Sequence, residues 1–341
     1  MPKMLGERTI IFENKPSIIS YGSVVGKKEH EGPLSEEFDE YTIDSYFGED
    51  SFEKAESKLQ KTAVQIALDK AGFKDRDIDK MFAGDLLNQC IGSSFGNKER
   101  GIPFIGLYGA CSTMALSTAL ASLFVDSGAA NNALAVTSSH ICSAERQYRF
   151  PLNYGSQRPQ TAQWTVTGSG ALIISNEGEG PYIDSALFGK IVDLNVTDTN
   201  NMGAAMAPAA ADTIMQFLKD TNTTPEDYDL IFTGDLGYVG RHCLYELLDK
   251  EGIDIKCRHT DCGCMIFDKD AQDTHSGGSG CGCSASVLAS YVMHRMEEGQ
   301  LNNILFISTG ALMSPTSSFQ GESIPGIAHL INIKNCLTQG S

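Results

Sequence analysis

The chain has 341 residues, of which 43 are acidic and 26 are lysine or arginine, so its formal net charge is −17. Such a charge disfavours nucleic acid as a partner, because phosphate binding needs a basic face, and it disfavours attraction to anionic lipid. Every apolar run is shorter than the roughly 20 residues that cross a bilayer, and the N-terminus lacks the hydrophobic region of a signal peptide. We therefore expect a soluble, cytoplasmic-type protein whose ten cysteines are reduced.

The first well-marked helix covers residues 51–71. Asp50 or Ser51 can cap its N-terminus, small and apolar side chains recur at helical spacing, and Gly72 is placed to end it. A second helix is predicted after residue 110, where alanine, serine and leucine dominate. Between the two, residues 102–108 indicate a buried strand.

Two segments of the sequence occur twice. Residues 77–86 match residues 227–236 at six of ten positions with an offset of 150, and residues 131–139 match residues 302–310 with an offset of 171. Each copy fits the order strand, helix, strand, turn, helix, strand, which is typical of α/β layers with crossover helices. The sequence therefore predicts a duplicated α/β fold, with pseudo-equivalent halves at residues 1–178 and 179–341 and mixed, mostly parallel sheets.

Polar side chains follow several strands of the predicted first half. Ligands of open α/β sheets gather outside the carboxyl ends of the strands, so we expect these side chains to border one pocket between the halves. The candidate ligand-binding residues at these ends are Asp85, Asn88, Cys111, Ser112, Ser138, Ser139 and His140.

Cys111 falls where a strand delivers the chain to a helix N-terminus. Free backbone N–H groups and the helix dipole at such a place can stabilise a thiolate or hold a ligand carboxylate. The alternative is a small buried cysteine that only packs.

These motifs resemble the thiolase superfamily, in which two α/β halves are duplicated and a nucleophilic cysteine lies on a helix N-terminus. Cys111 matches that cysteine, and residues 166–175 match the glycine-rich strand that closes the first half. The resemblance implies αβαβα layers with buried helices between the two sheets. It also implies a homodimer, since proteins of this superfamily usually pair through the strand near the nucleophile.

Within the superfamily, the chain is similar to the stage V sporulation proteins of the dipicolinate-uptake apparatus of endospore-forming bacteria. This resemblance implies dipicolinate as ligand, with calcium as its companion ion and no resident cofactor. It also implies membrane proteins of the same apparatus as partners, and peripheral association with the forespore or spore inner membrane. It rests on AGDLLNQ (83–89), GACST (109–113), TSSHICSAERQYRFP (137–151), MGAAMAPAAADTI (202–214), TGDL (233–236), GGSGCGCSA (277–285) and STGALMSPT (308–316).

The chain departs from the enzymes of the superfamily in its second half. Residues 233–235, Thr-Gly-Asp, stand where a catalytic histidine is expected, and the repeat offsets place the counterpart of Cys111 between Ser279 and Gly282. Without a general base and an oxyanion donor we expect a binding protein with a vestigial nucleophile. The alternative is an acyl-transfer or condensing enzyme that acts on an acyl-CoA-like thioester, with His140 or His275 as base.

Charged residues near the pocket have two interpretations each. Arg146 and Arg149 can hold ligand carboxylates or can balance surface acids. Asp85 can take part in binding calcium-dipicolinate or can cap the following helix, and for its repeat partner Asp235 we expect capping only. The cysteines and histidines of residues 257–283 have a spacing that fits a zinc site poorly, so no metal site is predicted.

Overall fold

The computed structural model describes residues 1–148 and 158–335. Elements of the first half, in chain order, are β1 (Lys3–Leu5), β2 (Thr9–Ile11), β3 (Ser17–Gly26), α1 (Lys27–His30), β4 (Glu40–Thr42), α2 (Phe52–Ala71), β5 (Lys80–Gly84), α3 (Ile91–Asn97), β6 (Phe104–Leu107), α4 (Thr113–Asp126), β7 (Asn132–Ser139), α5 (Ile141–Tyr148), β8 (Trp164–Thr165) and β9 (Gly168–Ser175).

The second half has a matching series. Its elements are β10 (Tyr182–Leu187), α6 (Met202–Thr221), β11 (Leu230–Thr233), α7 (Gly237–Lys250), β12 (His259–Asp261), α8 (Cys262–Met265), β13 (Gly278–Ser279), α9 (Cys281–Val287), a π-helical turn (Leu288–Val292), α10 (Met293–Glu297), β14 (Asn303–Ala311), α11 (Pro315–Phe319) and β15 (Gly326–Lys334).

The strand order is the same in both halves. It runs β3-β9-β7-β5-β6 in the first half and β10-β15-β14-β11-β12 in the second. In each half the three outer strands are parallel and the inner pairs are antiparallel. The halves meet where β10 pairs with β3 at Tyr182 and Ser17. The predicted duplicated α/β fold is confirmed.

The repeated segments also make the same hydrogen bonds. The carboxylate of Asp79 accepts from the backbone N–H groups of Asn131 and Asn132, at 2.7 and 3.2 Å. Asp229 accepts in the same way from Asn302 and Asn303, at 2.6 and 2.9 Å. The sequence repeat is therefore a repeat of local structure that fixes the start of β7 and of β14.

Two buried helices lie between the sheets. α4 packs on β5, β7 and β9 of its own half and on β14 and β15 of the other, and α9 packs on α4, β7 and β9. α4 is apolar or small on nearly every side, as expected of a helix without a solvent face. Its hydroxyls are satisfied within the helix, since Ser117 and Thr118 both donate to the carbonyl of Met114. α2 and α6 cover the outer faces, which completes the αβαβα layers.

The contact between β9 and α9 needs a glycine. A Cβ on Gly170 would lie 2.1 Å from the carbonyl oxygen of Ala285. The backbones of the sheet and the buried helix therefore touch directly, and this contact fixes where α9 begins relative to the first half.

The local predictions near the N-terminus are confirmed with one correction. α2 begins after Ser51, whose hydroxyl accepts from the N–H of Lys54, and it ends at Gly72 with φ 69°. The buried strand predicted at residues 102–108 is wrong in its burial. It forms β6, the outermost strand of the first half, with Phe104 39% exposed. Ile105 and Leu107 of the strand are partly buried against the core, and Ile102 just before it packs against a second apolar cluster. The other face of this edge strand is exposed.

Among the helices of the described residues, none combines the length and the apolar character that crossing a bilayer requires.

Candidate functional site

A small cavity opens at the carboxyl ends of the strands, between the two halves. Residues of both halves supply its wall. Its lining is mostly apolar and consists of Leu86, Ala110, Cys111, Ala144, Glu145, Tyr148, Thr165, Met202, Ser279, Ala311 and Met313. Thr165 and Ser279 face each other as partners in the short ladder of β8 and β13, which joins the halves below the cavity.

Cys111 lies two residues before the first residue of α4 and is 6% exposed. Its Sγ is 3.9 Å from the Oγ of Ser279, a residue of the second half. Burial and the charge of Asp235 raise the pKa of the Cys111 thiol well above its ordinary value. The thiol therefore stays protonated at neutral pH, and a protonated thiol is a poor nucleophile.

Asp235 is the buried carboxylate beside this thiol. Its Oδ2 accepts from the hydroxyl of Ser279 at 3.0 Å and from the N–H of Gly280 at 2.9 Å, and its Oδ1 accepts from the hydroxyl of Thr309 at 2.7 Å. Burial raises the pKa of Asp235 to about 6, although these donors and the Cys111 thiol favour its charged form. The carboxylate thus ties the end of β11 to β13, α9 and β14.

The expectation that Asp235 only caps the following helix is wrong. The carboxylate that accepts from the N–H groups of Leu236 and Gly237, at 2.8 and 3.0 Å, belongs to Asp261 at the end of β12. Asp261 accepts from the N–H groups at the start of α7, so that helix needs no cap from Asp235. The carboxylate of Asp235 lies beside Cys111 instead.

Asp85 has the capping geometry instead. It is fully buried, and it accepts from the N–H of Leu87 at 2.8 Å and from the N–H of Ser93 at 2.7 Å. Ser93 lies in the first turn of α3, so the carboxylate caps that helix, as in the structural alternative. The side chain of Asp85 is not part of the wall of the Cys111 cavity.

A second buried acid, Glu56 of α2, lies near Asp85. The hydroxyl of Ser143 donates to Glu56 at 2.6 Å, and that of Ser138 donates at 3.3 Å. Burial, followed by the charge of Asp85, raises the pKa of Glu56 to about 8. This pair links α2, β5 and α5 behind the cavity.

The predicted serines are all buried and turned into the fold. The hydroxyl of Ser112 donates to the carbonyl of Gly109 at 2.6 Å. That of Ser138 contacts Glu56, as described above. That of Ser139 donates to the carbonyl of Val166 at 2.7 Å and accepts from the N–H of Gly282 at 3.1 Å. These three side chains form hydrogen bonds within the fold and do not line the cavity.

The structure does not bring the other predicted residues to the thiol. His140 lines a different cavity, with its Nε2 2.8 Å from the carbonyl oxygen of Ser45. Asn88 is exposed. Arg146 forms an ion pair with Glu53 through two contacts of 2.7 Å. It therefore balances a surface acid, the second of the two interpretations given for it above. Arg149 lies outside the described residues.

Neither candidate base is beside Cys111. His275 is held by the carbonyl of Pro159 at 2.8 Å and by Asp273 at 2.9 Å, and like His140 it is absent from the cavity wall. In residues 1–148 and 158–335, no three or more His, Cys, Asp or Glu side chains are grouped as a metal site would require. Cys111 is therefore the one predicted ligand residue that the structure places in this wall.

Sequence reasoning missed most of the wall. Glu145, Tyr148, Met202 and Met313 lie within the motifs that carried the resemblance, but no chemical signal distinguished them from packing residues. Asp235 had a usable signal, because the repeat placed it at a strand end where a histidine was expected.

The layers, the duplicated sheets and a cysteine between the halves define a protein of the thiolase-like fold. Solved structures of that fold agree. The 3-oxoacyl-[acyl-carrier-protein] synthase III of Aquifex aeolicus VF5 matches with a TM-score of 0.58 and 12% identity, over 94% of this chain and 99% of that one. The cerulenin-bound OleA protein of Xanthomonas campestris matches with a TM-score of 0.57 and 13% identity, over 97% and 98%.

The chain belongs to the stage V sporulation protein AD (SpoVAD) family. The model of that family matches residues 6–334. The stage V sporulation protein AD of Bacillus subtilis (strain 168) is 46% identical over 327 residues, which is 96% of each protein. The resemblance drawn from the motifs is thereby confirmed at the level of the family.

The contact between Cys111 and Asp235 predicts how the thiol reacts. In Asp235→Asn, the loss of the negative charge lowers the thiol pKa, so alkylation of Cys111 at neutral pH should become about tenfold faster. Mass spectrometry of the Cys111 peptide after timed iodoacetamide treatment measures this rate. The exposed Cys257 serves as an internal reference in the same sample. An unchanged ratio of the two rates would show that the carboxylate does not control the thiol.

The raised pKa of Glu56 predicts that the stability of the protein depends on pH. Its pKa is higher in the folded chain than the ordinary value of 4.5, so its stabilising effect is full below that pH and is lost as the pH rises through about 8. Glu56→Gln removes this titration. We expect the variant to gain stability relative to the wild type between about pH 5 and about pH 9, in urea unfolding at both values. Asp69→Asn, an exposed change on the same helix, is the control, and parallel wild-type and Glu56→Gln profiles would contradict the assignment.

Proposed function

We propose that this chain binds dipicolinate, as its calcium chelate, in the cavity at Cys111, and that it does not use Cys111 as a nucleophile. The observation that carries the proposal is the carboxylate of Asp235 beside the thiol. The ligand is proposed from the family, and the cavity supports it by its shape and charge.

The chemistry around Cys111 favours binding over acyl transfer. A nucleophilic cysteine needs a base to take its proton and donors to stabilise the oxyanion. Here the ionisable partner from the second half is an acid, whose negative charge disfavours the thiolate. A protonated thiol and the hydroxyls of Thr165 and Ser279 can instead act as hydrogen-bond partners for a bound ligand.

The cavity wall suits a flat ring. Leu86, Ala144, Met202 and Met313 supply apolar surface from both halves. Tyr148 closes one side, because its hydroxyl donates to the carbonyl of Leu86 at 2.5 Å and lies 2.8 Å from the hydroxyl of Tyr108. A pyridine ring placed there keeps its faces on apolar groups, while its edge meets the hydroxyls.

The charge of the wall favours the calcium chelate over the free dianion. The buried carboxylate of Asp235 lies beside Cys111, and none of the described residues that line the cavity is lysine or arginine. A bare dianion would therefore be repelled, whereas a one-to-one complex with Ca²⁺ is neutral. Dipicolinate supplies two carboxylates and a ring nitrogen to the ion, all of them ligand types that Ca²⁺ accepts.

The cellular role follows from the family. We propose that the chain works at the forespore or spore inner membrane as a peripheral protein, and that it hands the chelate to other stage V sporulation A membrane proteins. A cavity that opens at one edge of the sheets fits such a transfer, because ligand enters and leaves without unfolding of the core.

We also propose that two copies pair through β6. This strand has no partner on its outer side within the described chain. Phe104 on the strand and Tyr108 just after it are 39% and 48% exposed, and Phe95 of α3 is 62% exposed. An apolar edge strand of this kind is a template for pairing with another chain.

Calorimetric titration with equimolar calcium and dipicolinate tests the binding site. Ala144→Phe fills the cavity with a ring, so we expect it to weaken binding of the chelate by about a hundredfold or more. Ala129→Phe makes the same change at an exposed position and should bind like the wild type. Equal affinity in the wild type and Ala144→Phe, with both folded, would place the site elsewhere.

Incubation with acyl-CoA tests the catalytic alternative on the same protein. We expect the intact mass of the wild type to stay unchanged under conditions in which the calcium chelate binds. An acyl adduct that disappears in Cys111→Ala would overturn the non-catalytic part of the proposal and favour a condensing enzyme.

Light scattering on a sizing column tests the pairing through β6. Phe104→Glu places a charge on the strand edge and should convert a dimer into a monomer. Phe319→Glu, at a side chain that is 80% exposed on α11, is the matched control and should leave the mass unchanged. A wild-type monomer at all concentrations would contradict the proposal.

A further inference from the structure

The cavity at Cys111 is smaller, in the observed conformation, than an aromatic ligand. Its free space is about 40 Å³, whereas a cavity that takes a benzene ring measures about 150 Å³. The thiol itself is only 6% exposed. Part of the wall must therefore move before a ring can enter, and the packing of α5 makes it the element that can move.

α5 has little apolar packing of its own. Its buried residues are Ser143 and Ala144. Ala144 belongs to a small cluster of buried residues, which consists of Leu86, Cys111, Ala144 and Cys281. Tyr148, at the end of α5, packs against the same cluster, which is separate from the three larger apolar clusters of the described residues. Movement of α5 would therefore uncover the thiol and leave the larger clusters intact.

The start of α5 is fixed by buried polar contacts. The Nε2 of His140 contacts the carbonyl oxygen of Ser45 at 2.8 Å, and its Nδ1 accepts from the N–H of Cys142 at 3.1 Å. The hydroxyl of Ser143 donates to Glu56 at 2.6 Å. These bonds join the first turn of α5 to the loop after β4 and to α2. This end of the helix can therefore act as a pivot.

The other end of α5 is held across the cavity by a hydroxyl. The Oη of Tyr148 donates to the carbonyl of Leu86 at 2.5 Å and lies 2.8 Å from the Oη of Tyr108. The ion pair of Arg146 with Glu53 is at the surface, with side chains 51% and 32% exposed, so it stabilises this end little. Among these polar contacts, the hydroxyl of Tyr148 is therefore the one that holds the helix against the cavity.

We propose that α5 is a lid on the Cys111 cavity, that it pivots at His140 and is latched by the hydroxyl of Tyr148, and that ligand enters only while this latch is open. The choice of the calcium chelate of dipicolinate as that ligand rests on the proposed function, whereas the lid can be tested without a ligand. The apparent affinity of such a cavity depends on the fraction of molecules that are open.

Alkylation of Cys111 measures the open fraction in the full-length protein. Tyr148→Phe keeps the ring and removes the latch, so the reaction of Cys111 with iodoacetamide should become about fivefold faster, as expected for the loss of one hydrogen bond. Tyr182→Phe is the matched control, because it removes a hydroxyl that donates to the carbonyl of Gly178, at 3.3 Å, outside the cavity wall. Peptide masses give each rate relative to the exposed Cys257.

Two further readouts separate the lid from other causes. Cys262 and Cys283 are fully buried in the largest apolar cluster, so their alkylation reports unfolding of the core and should stay slow in both tyrosine variants. The rate at Cys111 should also keep its dependence on pH in Tyr148→Phe, because the charge beside the thiol is unchanged. Asp235→Asn, in contrast, should shift that dependence to lower pH.

Calorimetric titration with equimolar calcium and dipicolinate tests entry of the ligand. Because the latch limits the open fraction, Tyr148→Phe should bind the chelate about fivefold more tightly than the wild type. Tyr182→Phe should bind like the wild type.

Each outcome decides the proposal. Equal Cys111 rates in the wild type and Tyr148→Phe, or a parallel rise at Cys262 and Cys283, would overturn the lid. Faster reaction of Cys111 together with unchanged or weaker chelate binding would overturn the role of the lid in ligand entry. Faster reaction of Cys111 in a protein that binds no chelate in any variant would instead overturn the proposed function and leave the lid standing.

Discussion

The arrangement of the site depends on one buried carboxylate, that of Asp235. Its oxygens bind donors from β13, the start of α9 and β14 while its charge lies against the thiol of Cys111. An uncompensated buried charge is costly, and these donors make it tolerable. The same bonds hold Ser279 in the cavity wall. Asp235 therefore both positions this part of the second half beside Cys111 and keeps the thiol of Cys111 protonated.

The fold could be predicted from the sequence because the duplication left similar segments at matching positions in both halves. The offsets of 150 and 171 pointed to equivalent strands, and the structure shows that Asp79 and Asp229 make equivalent bonds. The offsets also placed the counterpart of Cys111 between Ser279 and Gly282, and the Oγ of Ser279 is 3.9 Å from the Sγ of Cys111. Burial of residues 102–108 could not be predicted, since alternation of bulky side chains does not show whether another strand lies alongside.

The site was predicted less well, because position at a strand end does not determine which way a side chain turns. Ser138 and Ser139 end β7 and Asp85 follows β5, yet each is used within the fold, by Glu56, by Val166 and by the first turn of α3. The roles of the repeat partners differ for a physical reason. Asp261 caps α7 in the second half, so Asp235 is not needed there, whereas in the first half Asp85 itself caps α3.

A carboxylate beside a cysteine gives a cavity a different chemistry from an imidazole in the same place. An imidazole would draw the proton from sulfur, whereas the carboxylate keeps it there and makes the cavity negative. A negative, apolar cavity disfavours an anion whose charge no cation has neutralised. Under the proposed function, a ligand neutralised by calcium would enter this cavity more readily than the free dianion, and this gives the chain a physical means of distinguishing the two forms.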